Sequence, residues 1–207
     1  MRTSMWSAVK TAFASILLVA LAMALPACKI NVKKGDNGED KNVDIQTPLG
    51  GIHVNKDANA RDTGIPVYPG AREKPKSSGG DGGQANVNIS SGFFGVKVVV
   101  IEFLSDDPPE KVTAYYKDQL KKYGGVLECH TKKHGGDGPN IEVNPGRDNN
   151  KEENKLSCDH DSGTTVELKV GTKDNQHIVA VSPQDNGKGA DFALVYVQTR
   201  GGNKDSI

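Results

Sequence analysis

The chain has 207 residues, and its 26 lysine and arginine side chains are balanced by 26 aspartates and glutamates. Without a basic surplus, it is not expected to bind nucleic acid or an anionic surface through net charge. Aromatic residues make up only 5% of the chain and glycine is abundant at 24 residues, so we expect an aliphatic core and long loops.

The N-terminal segment combines positive charge with a short apolar run. Arg2 and Lys10 are its only charged side chains, and the residues from Ala12 to Leu25 are almost uninterruptedly apolar. A run of about 14 residues is shorter than the roughly 20 that a membrane-spanning helix needs. The pattern is typical of a signal peptide and predicts that residues 1–27 are removed on export.

The apolar run ends in Leu25-Pro26-Ala27-Cys28. This ending resembles the lipobox of bacterial lipoproteins, which implies cleavage before Cys28 and attachment of acyl chains such as palmitate to its sulfur. The implied mature chain is held on a membrane of the cell envelope by this lipid. Lys29 in the next position, in place of an aspartate, implies the outer membrane, facing the periplasm, in a host with two membranes. The alternative is an ordinary signal peptide with an incidental cysteine.

Beyond the cysteine, composition divides the mature chain into a tether, a domain and a tail. Residues 28–42 are polar and charged, which predicts a flexible, lipid-anchored tether. Residues 43–200 form one predicted domain, and residues 201–207 are a polar tail. The domain begins with alternating apolar residues on both sides of Gly50-Gly51, a pattern that predicts a small hairpin.

The next two predicted strands cover residues 84–90 and 96–103. The first alternates apolar and polar residues, whereas the second is apolar on both faces and is therefore expected near the middle of the sheet. Between them, Phe93 and Phe94 either fold back onto the core or stand exposed as a contact for a partner or the bilayer. Glu102 near the end of the central strand is expected to be solvated; the alternative is a carboxylate with a raised pKa.

A helix is predicted to begin near Pro108. Asp107 is placed to accept from the first helical amides, and Glu110 lies at the capping-box position. Gly124-Gly125 predicts the end of the helix. Apolar residues recur at three- and four-residue steps, so one face of the helix is expected to cover the sheet. They are Val112, Tyr115, Tyr116, Leu120 and Tyr123.

Cys129 and Cys158 are the remaining cysteines once Cys28 is acylated. Because export places them in an oxidising compartment, they are predicted to form a disulfide. The segment between them is rich in Gly, Asp, Asn and Lys, which predicts a disordered loop at residues 133–154. The alternative is a zinc site, although the short Cys-x2-Cys spacing of structural zinc sites is missing. Its four ligands would be Cys129, His134, Cys158 and His160.

Shorter apolar patterns predict four further strands, at residues 126–129, 165–170, 178–181 and 192–197. The whole pattern predicts an α+β fold, a mostly antiparallel sheet of about six strands with one main helix packed on one face. No hydrolase, phosphate-binding or dinucleotide-binding motif is found, so no catalytic residue and no cofactor is predicted. We expect a non-enzymatic domain that binds a protein, the cell wall or a small ligand. A metal-dependent factor using the cysteine and histidine group is the alternative.

Overall fold

The computed structural model describes residues 28–34, 40–55, 58–75, 83–92, 94–131, 154–158, 162–185 and 187–201. The predicted signal peptide at residues 1–27 lies outside these ranges. Residues 133–153 of the predicted loop and residues 202–207 of the tail lie outside them as well. Those three assignments therefore stay predictions.

The body of the protein is a single antiparallel sheet. Its strands are β1 (Lys29–Lys34), β2 (Asp40–Thr47), β3 (Gly50–Asn55), β4 (Arg72–Glu73), β5 (Gln84–Ser91), β6 (Phe94–Ser105), β7 (Leu127–Thr131), β8 (Thr165–Thr172), β9 (Asn175–Pro183) and β10 (Ala190–Gly201). Their order across the sheet is β1-β2-β3-β5-β6-β10-β9-β8-β7, and the short β4 pairs with the far end of β6. The two longest strands, β6 and β10, are neighbours at its centre.

The predicted α+β fold with about six strands is wrong, because the sheet has ten strands and the described residues form one short α-helix. The fold is β-rich. Only segments with strong apolar runs were predicted as strands of the main sheet, and the hairpin of β2 and β3 was predicted as a separate unit. The prediction also assigned β1 to a flexible tether. Ile30 and Val32 alternate there with lysine and asparagine, which suits a strand with one aliphatic and one polar face.

The helix α1 (Pro109–Leu120) continues as a 3-10 turn over Lys121–Tyr123. Its predicted start near Pro108 and its end at Gly124 are confirmed. The predicted capping by Asp107 is wrong, because Pro108 is the N-cap residue and no side chain caps the helix. Asp107 instead accepts a hydrogen bond of 2.8 Å from the Tyr68 hydroxyl.

The main hydrophobic core lies between α1 and one face of the sheet. The helix packs against β8, β9 and β10 through Val112, Tyr116 and Leu120. The extended segment before β4 packs on the same side of the sheet and adds Ile65 and Tyr68 to this core. The Tyr116 hydroxyl accepts a 2.9 Å hydrogen bond from the Tyr68 backbone amide, so the helix and this segment are joined inside the core. Burial raises the pKa of Tyr116 far above its ordinary value.

The opposite face of the sheet carries a second core and two regular rows of β-branched side chains. Ile178, Ala193, Val195 and Val197 are buried there, with Val98 and Val100 packed against them. Strand register places one valine from each of six adjacent strands side by side. This valine row consists of Val32, Val43, Val54, Val87, Val98 and Val197. The isoleucine row, two residues away on the same face, consists of Ile30, Ile45, Ile52 and Ile89.

The residues between these two rows point to the helix side of the sheet and are polar. They form a polar row that consists of Asn31, Asp44, His53, Asn88, Lys97 and Gln198. The strands β1, β2, β3 and β5 are therefore amphipathic, with β-branched aliphatic residues on one face and hydrogen-bonding groups on the other.

Candidate functional site

Cys28 is the first residue that the structure describes, and it immediately precedes β1 at the edge of the sheet. It is exposed, and its thiol is free. The chain has three cysteines, and the other two are bonded to each other. Cys28 is therefore the cysteine that remains accessible for modification.

The predicted disulfide between Cys129 and Cys158 is confirmed, with the two Cα atoms 5.5 Å apart. It joins β7 to the segment of residues 154–158. Because both thiols are used, they cannot serve as zinc-binding thiolates. His134 and His160 lie outside the described residues. Within the described ranges, no three His, Cys, Asp or Glu side chains are grouped to hold a metal ion.

Glu102 was expected to be solvated, and that expectation is wrong. Its side chain is buried, and its carboxylate accepts a 2.9 Å hydrogen bond from the Gly83 amide. The Lys74 ammonium lies 3.6 Å from Glu102 and 2.8 Å from the Asp191 carboxylate. The three side chains form a partly buried charged triad that ties the segment after β4 to β6 and β10. This arrangement gives Glu102 a structural role.

A cleft of about 270 Å³ opens at the end of the sheet where β5, β6 and β10 meet. Asn88, Lys97 and Gln198 of the polar row line it, together with Ser90 and Arg200. The described lining contains two cations, two amides and two serine hydroxyls but no carboxylate. Such a cleft can bind a negatively charged or hydrogen-bond-accepting group.

Phe94 also lines this cleft and is 42% exposed, while Phe93 lies outside the described residues. Of the two alternatives for this pair, the exposed position applies to Phe94. Contact of either residue with a partner remains a prediction. The cleft itself was not predicted, since its residues come from three strands that only the register of the sheet brings together.

Next to the cleft, His177 lies between two tyrosine rings. It stacks on Tyr123 with ring centroids 3.9 Å apart and contacts Tyr196 at 5.0 Å. Burial, and secondarily the positive charge of Lys122, lower the pKa of His177. The imidazole is therefore neutral at neutral pH and acts as a packing group. The Lys97 ammonium lies 5.9 Å from the centroid of the Tyr196 ring and connects this cluster to the cleft.

The chain matches no protein-family model, no curated protein and no solved structure in comparisons with known proteins. Among the parts of the chain that the structure describes, no helix has the length and apolar character needed to cross a membrane.

Proposed function

We propose that the protein is exported, acylated on Cys28 and held on a membrane of the cell envelope, where it acts as a non-enzymatic binding domain. One observation carries the proposal: of the three cysteines, two are bridged and the third is the exposed cysteine that ends the lipobox-like sequence. A disulfide suits an exported protein because such compartments are oxidising. The free thiol suits an acylation site.

The cleft and the polar row support the binding role. They offer amide, hydroxyl, ammonium and guanidinium groups, of which Lys97 and Arg200 carry positive charge. The described lining of the cleft contains no histidine, cysteine or carboxylate that could serve as nucleophile or general base. An acidic or carbonyl-rich ligand, such as a cell-wall polymer or an acidic protein segment, fits this chemistry.

The anchor is tested by intact mass spectrometry of the protein purified from membranes, before and after reduction and alkylation. We expect a chain that begins at Cys28 with added acyl mass, and two cysteines that alkylate only after reduction. In the Cys28→Ser variant the acyl mass should be lost while the disulfide is kept. An unmodified Cys28 that alkylates without reduction would contradict the proposed anchor.

The binding role is tested by sedimentation with isolated cell-wall material. The Lys97→Gln/Arg200→Gln variant should be recovered less in the pellet than the unaltered protein, because the cleft then loses both of its cations. The Lys111→Gln/Lys121→Gln variant is the matched control, since it removes the same charge from exposed positions on and after α1. Equal recovery of all three proteins would remove cell-wall binding through the cleft.

A further inference from the structure

Large apolar side chains that remain exposed are concentrated around Cys28. Six such residues occur among the described residues, and five belong to β1, the β2–β3 hairpin or the start of β6; Val67 is the exception. We call these five the exposed corner. They are Ile30 (64% exposed), Val32 (43%), Leu49 (81%), Ile52 (39%) and Phe94 (42%).

Strand pairing brings the exposed corner to one end of the sheet. Lys29 pairs with Gln46, so Cys28 lies beside the turn that carries Leu49. Gly50 pairs with Ser91, which places the hairpin between β5 and β6, with Phe94, alongside the same turn. The corner is thus assembled from three separate parts of the chain around the residue that carries the proposed lipid.

The corner is the outer part of a larger apolar face. Ile30 and Ile52 belong to the isoleucine row, and Val32 begins the valine row. The valine row runs inward to the second core, where Val197 is fully buried, and the isoleucine row runs beside it as far as Ile89 on β5. The aliphatic face is therefore covered at the centre of the sheet and exposed at the edge where the chain would leave the membrane.

Charge at this end of the sheet fits a membrane surface. The register row nearest Cys28 contains Lys29 and Arg200 and no acidic residue. Lys29 in this position can contact lipid phosphates while neighbouring aliphatic side chains reach the acyl region, whereas Arg200 lies across the sheet on β10 and lines the cleft. The full register row is Lys29, Gln46, Gly51, Ser90, Gly95 and Arg200.

We propose that the exposed corner rests in the interface of the membrane that holds Cys28, so that the lipid bilayer covers it. The inference depends on the proposed acylation of Cys28. Ile30 lies two positions after Cys28, a reach of at most about 7 Å. An acylated sulfur in the bilayer therefore keeps Ile30 and Leu49 at the lipid surface. The end of the sheet that carries Cys28 thus lies against the membrane, and no long flexible tether separates the domain from the lipid.

Tryptophan fluorescence can locate the corner because the only tryptophan of the chain is Trp6, in the segment predicted to be removed. The Ile52→Trp and His53→Trp variants place single reporters on neighbouring residues of β3 that point to opposite faces. The acylated proteins are reconstituted into vesicles of phosphatidylcholine and phosphatidylglycerol, with or without brominated acyl chains. We expect bromine to quench the emission of Ile52→Trp strongly and that of His53→Trp weakly. A Val32→Trp variant provides a second reporter on the corner should Ile52→Trp fail to fold.

Each alternative outcome has a distinct signature. Acylated protein that floats with the vesicles but shows equal, weak quenching for both variants overturns this inference and leaves the proposed anchor intact. Blue-shifted Ile52→Trp emission that bromine does not quench means that protein, such as a second copy of the chain, covers the corner, and it overturns the inference as well. A chain without acyl mass overturns the proposed anchor and this inference together.

Discussion

His177 shows how the environment of one residue makes folding sensitive to pH. The ring lies between Tyr123 and Tyr196, and burial together with Lys122 lowers its pKa below the ordinary 6.5. As pH falls below that value, the unfolded chain binds a proton at His177 that the folded chain does not yet accept. The free energy of unfolding therefore decreases with decreasing pH in this window and is fully restored above it.

The His177→Phe variant keeps the stacked ring and removes the titration. We expect its free energy of unfolding to decrease less than that of the unaltered protein between roughly pH 7 and pH 5. Urea unfolding followed by circular dichroism at both pH values measures the two differences, and the carboxylates that titrate in both proteins cancel. Identical decreases in the two proteins would show that His177 contributes nothing to the pH dependence.

The charged triad of Lys74, Glu102 and Asp191 is expected to contribute more to stability than an exposed ion pair does. In Lys74→Met, two partly buried carboxylates lose their shared cation, so we expect a loss of about 1–3 kcal/mol in the free energy of unfolding. Lys111→Met breaks an exposed, solvent-screened pair with Asp107 and should cost clearly less than Lys74→Met. Chemical denaturation of the two variants and the unaltered protein measures the two losses in the free energy of unfolding. Equal losses would mean that the triad contributes no more than a surface ion pair.

The disulfide between Cys129 and Cys158 is expected to contribute strongly to the free energy of unfolding. It links residues with a sequence separation of 29, and without it the unfolded chain gains conformational entropy. The Cys129→Ala/Cys158→Ala variant is expected to lose about 3.5 kcal/mol of stability by the loop-closure relation. Cys28→Ala is the matched control and should leave the unfolding midpoint unchanged, since Cys28 is exposed and unbridged. A double variant as stable as the control would contradict this prediction.

The elements that could be predicted have strong local signals. The central strand β6 is apolar on both faces, and α1 follows a proline and ends before two glycines. The strand β1 was missed because two alternating aliphatic residues among lysines also suit a polar linker. That alternation is a weak signal by itself, and pairing with β2 makes it a strand. The number of strands, and with it the fold class, depended on such pairings.

The site was only partly predictable for a similar reason. The pairing of Cys129 with Cys158 could be predicted because the preceding apolar run and the number of cysteines are features of the sequence itself. Acylation of Cys28 stays a prediction. Lys97 and Arg200 lie about a hundred positions apart, and only the register between β6 and β10 places them at the same cleft. The burial of Glu102 likewise depends on Lys74, which the segment after β4 supplies. The spacing of residues along the chain does not indicate which distant strands pair.

On the scale of the whole molecule, the valine row passes from an exposed edge to a buried centre. Val197→Ala removes two methyl groups from a fully buried position and should cost about 1–3 kcal/mol of stability. Val32→Ala makes the same change at the exposed end of the row and should cost less than about 0.5 kcal/mol. Urea unfolding of both variants tests this gradient. Equal costs would mean that both ends of the row are buried to the same extent.

The position of β1 at the edge of the sheet affects how two copies of the protein meet. An edge strand exposes unpaired amides and carbonyls that could add a strand from a neighbour. An antiparallel pairing of two β1 strands centred on Asn31 would set Lys29 of each copy opposite Lys33 of the other. Like charges in directly opposed positions repel each other. The lysines of β1 thus oppose this pairing between the sheets of neighbouring copies.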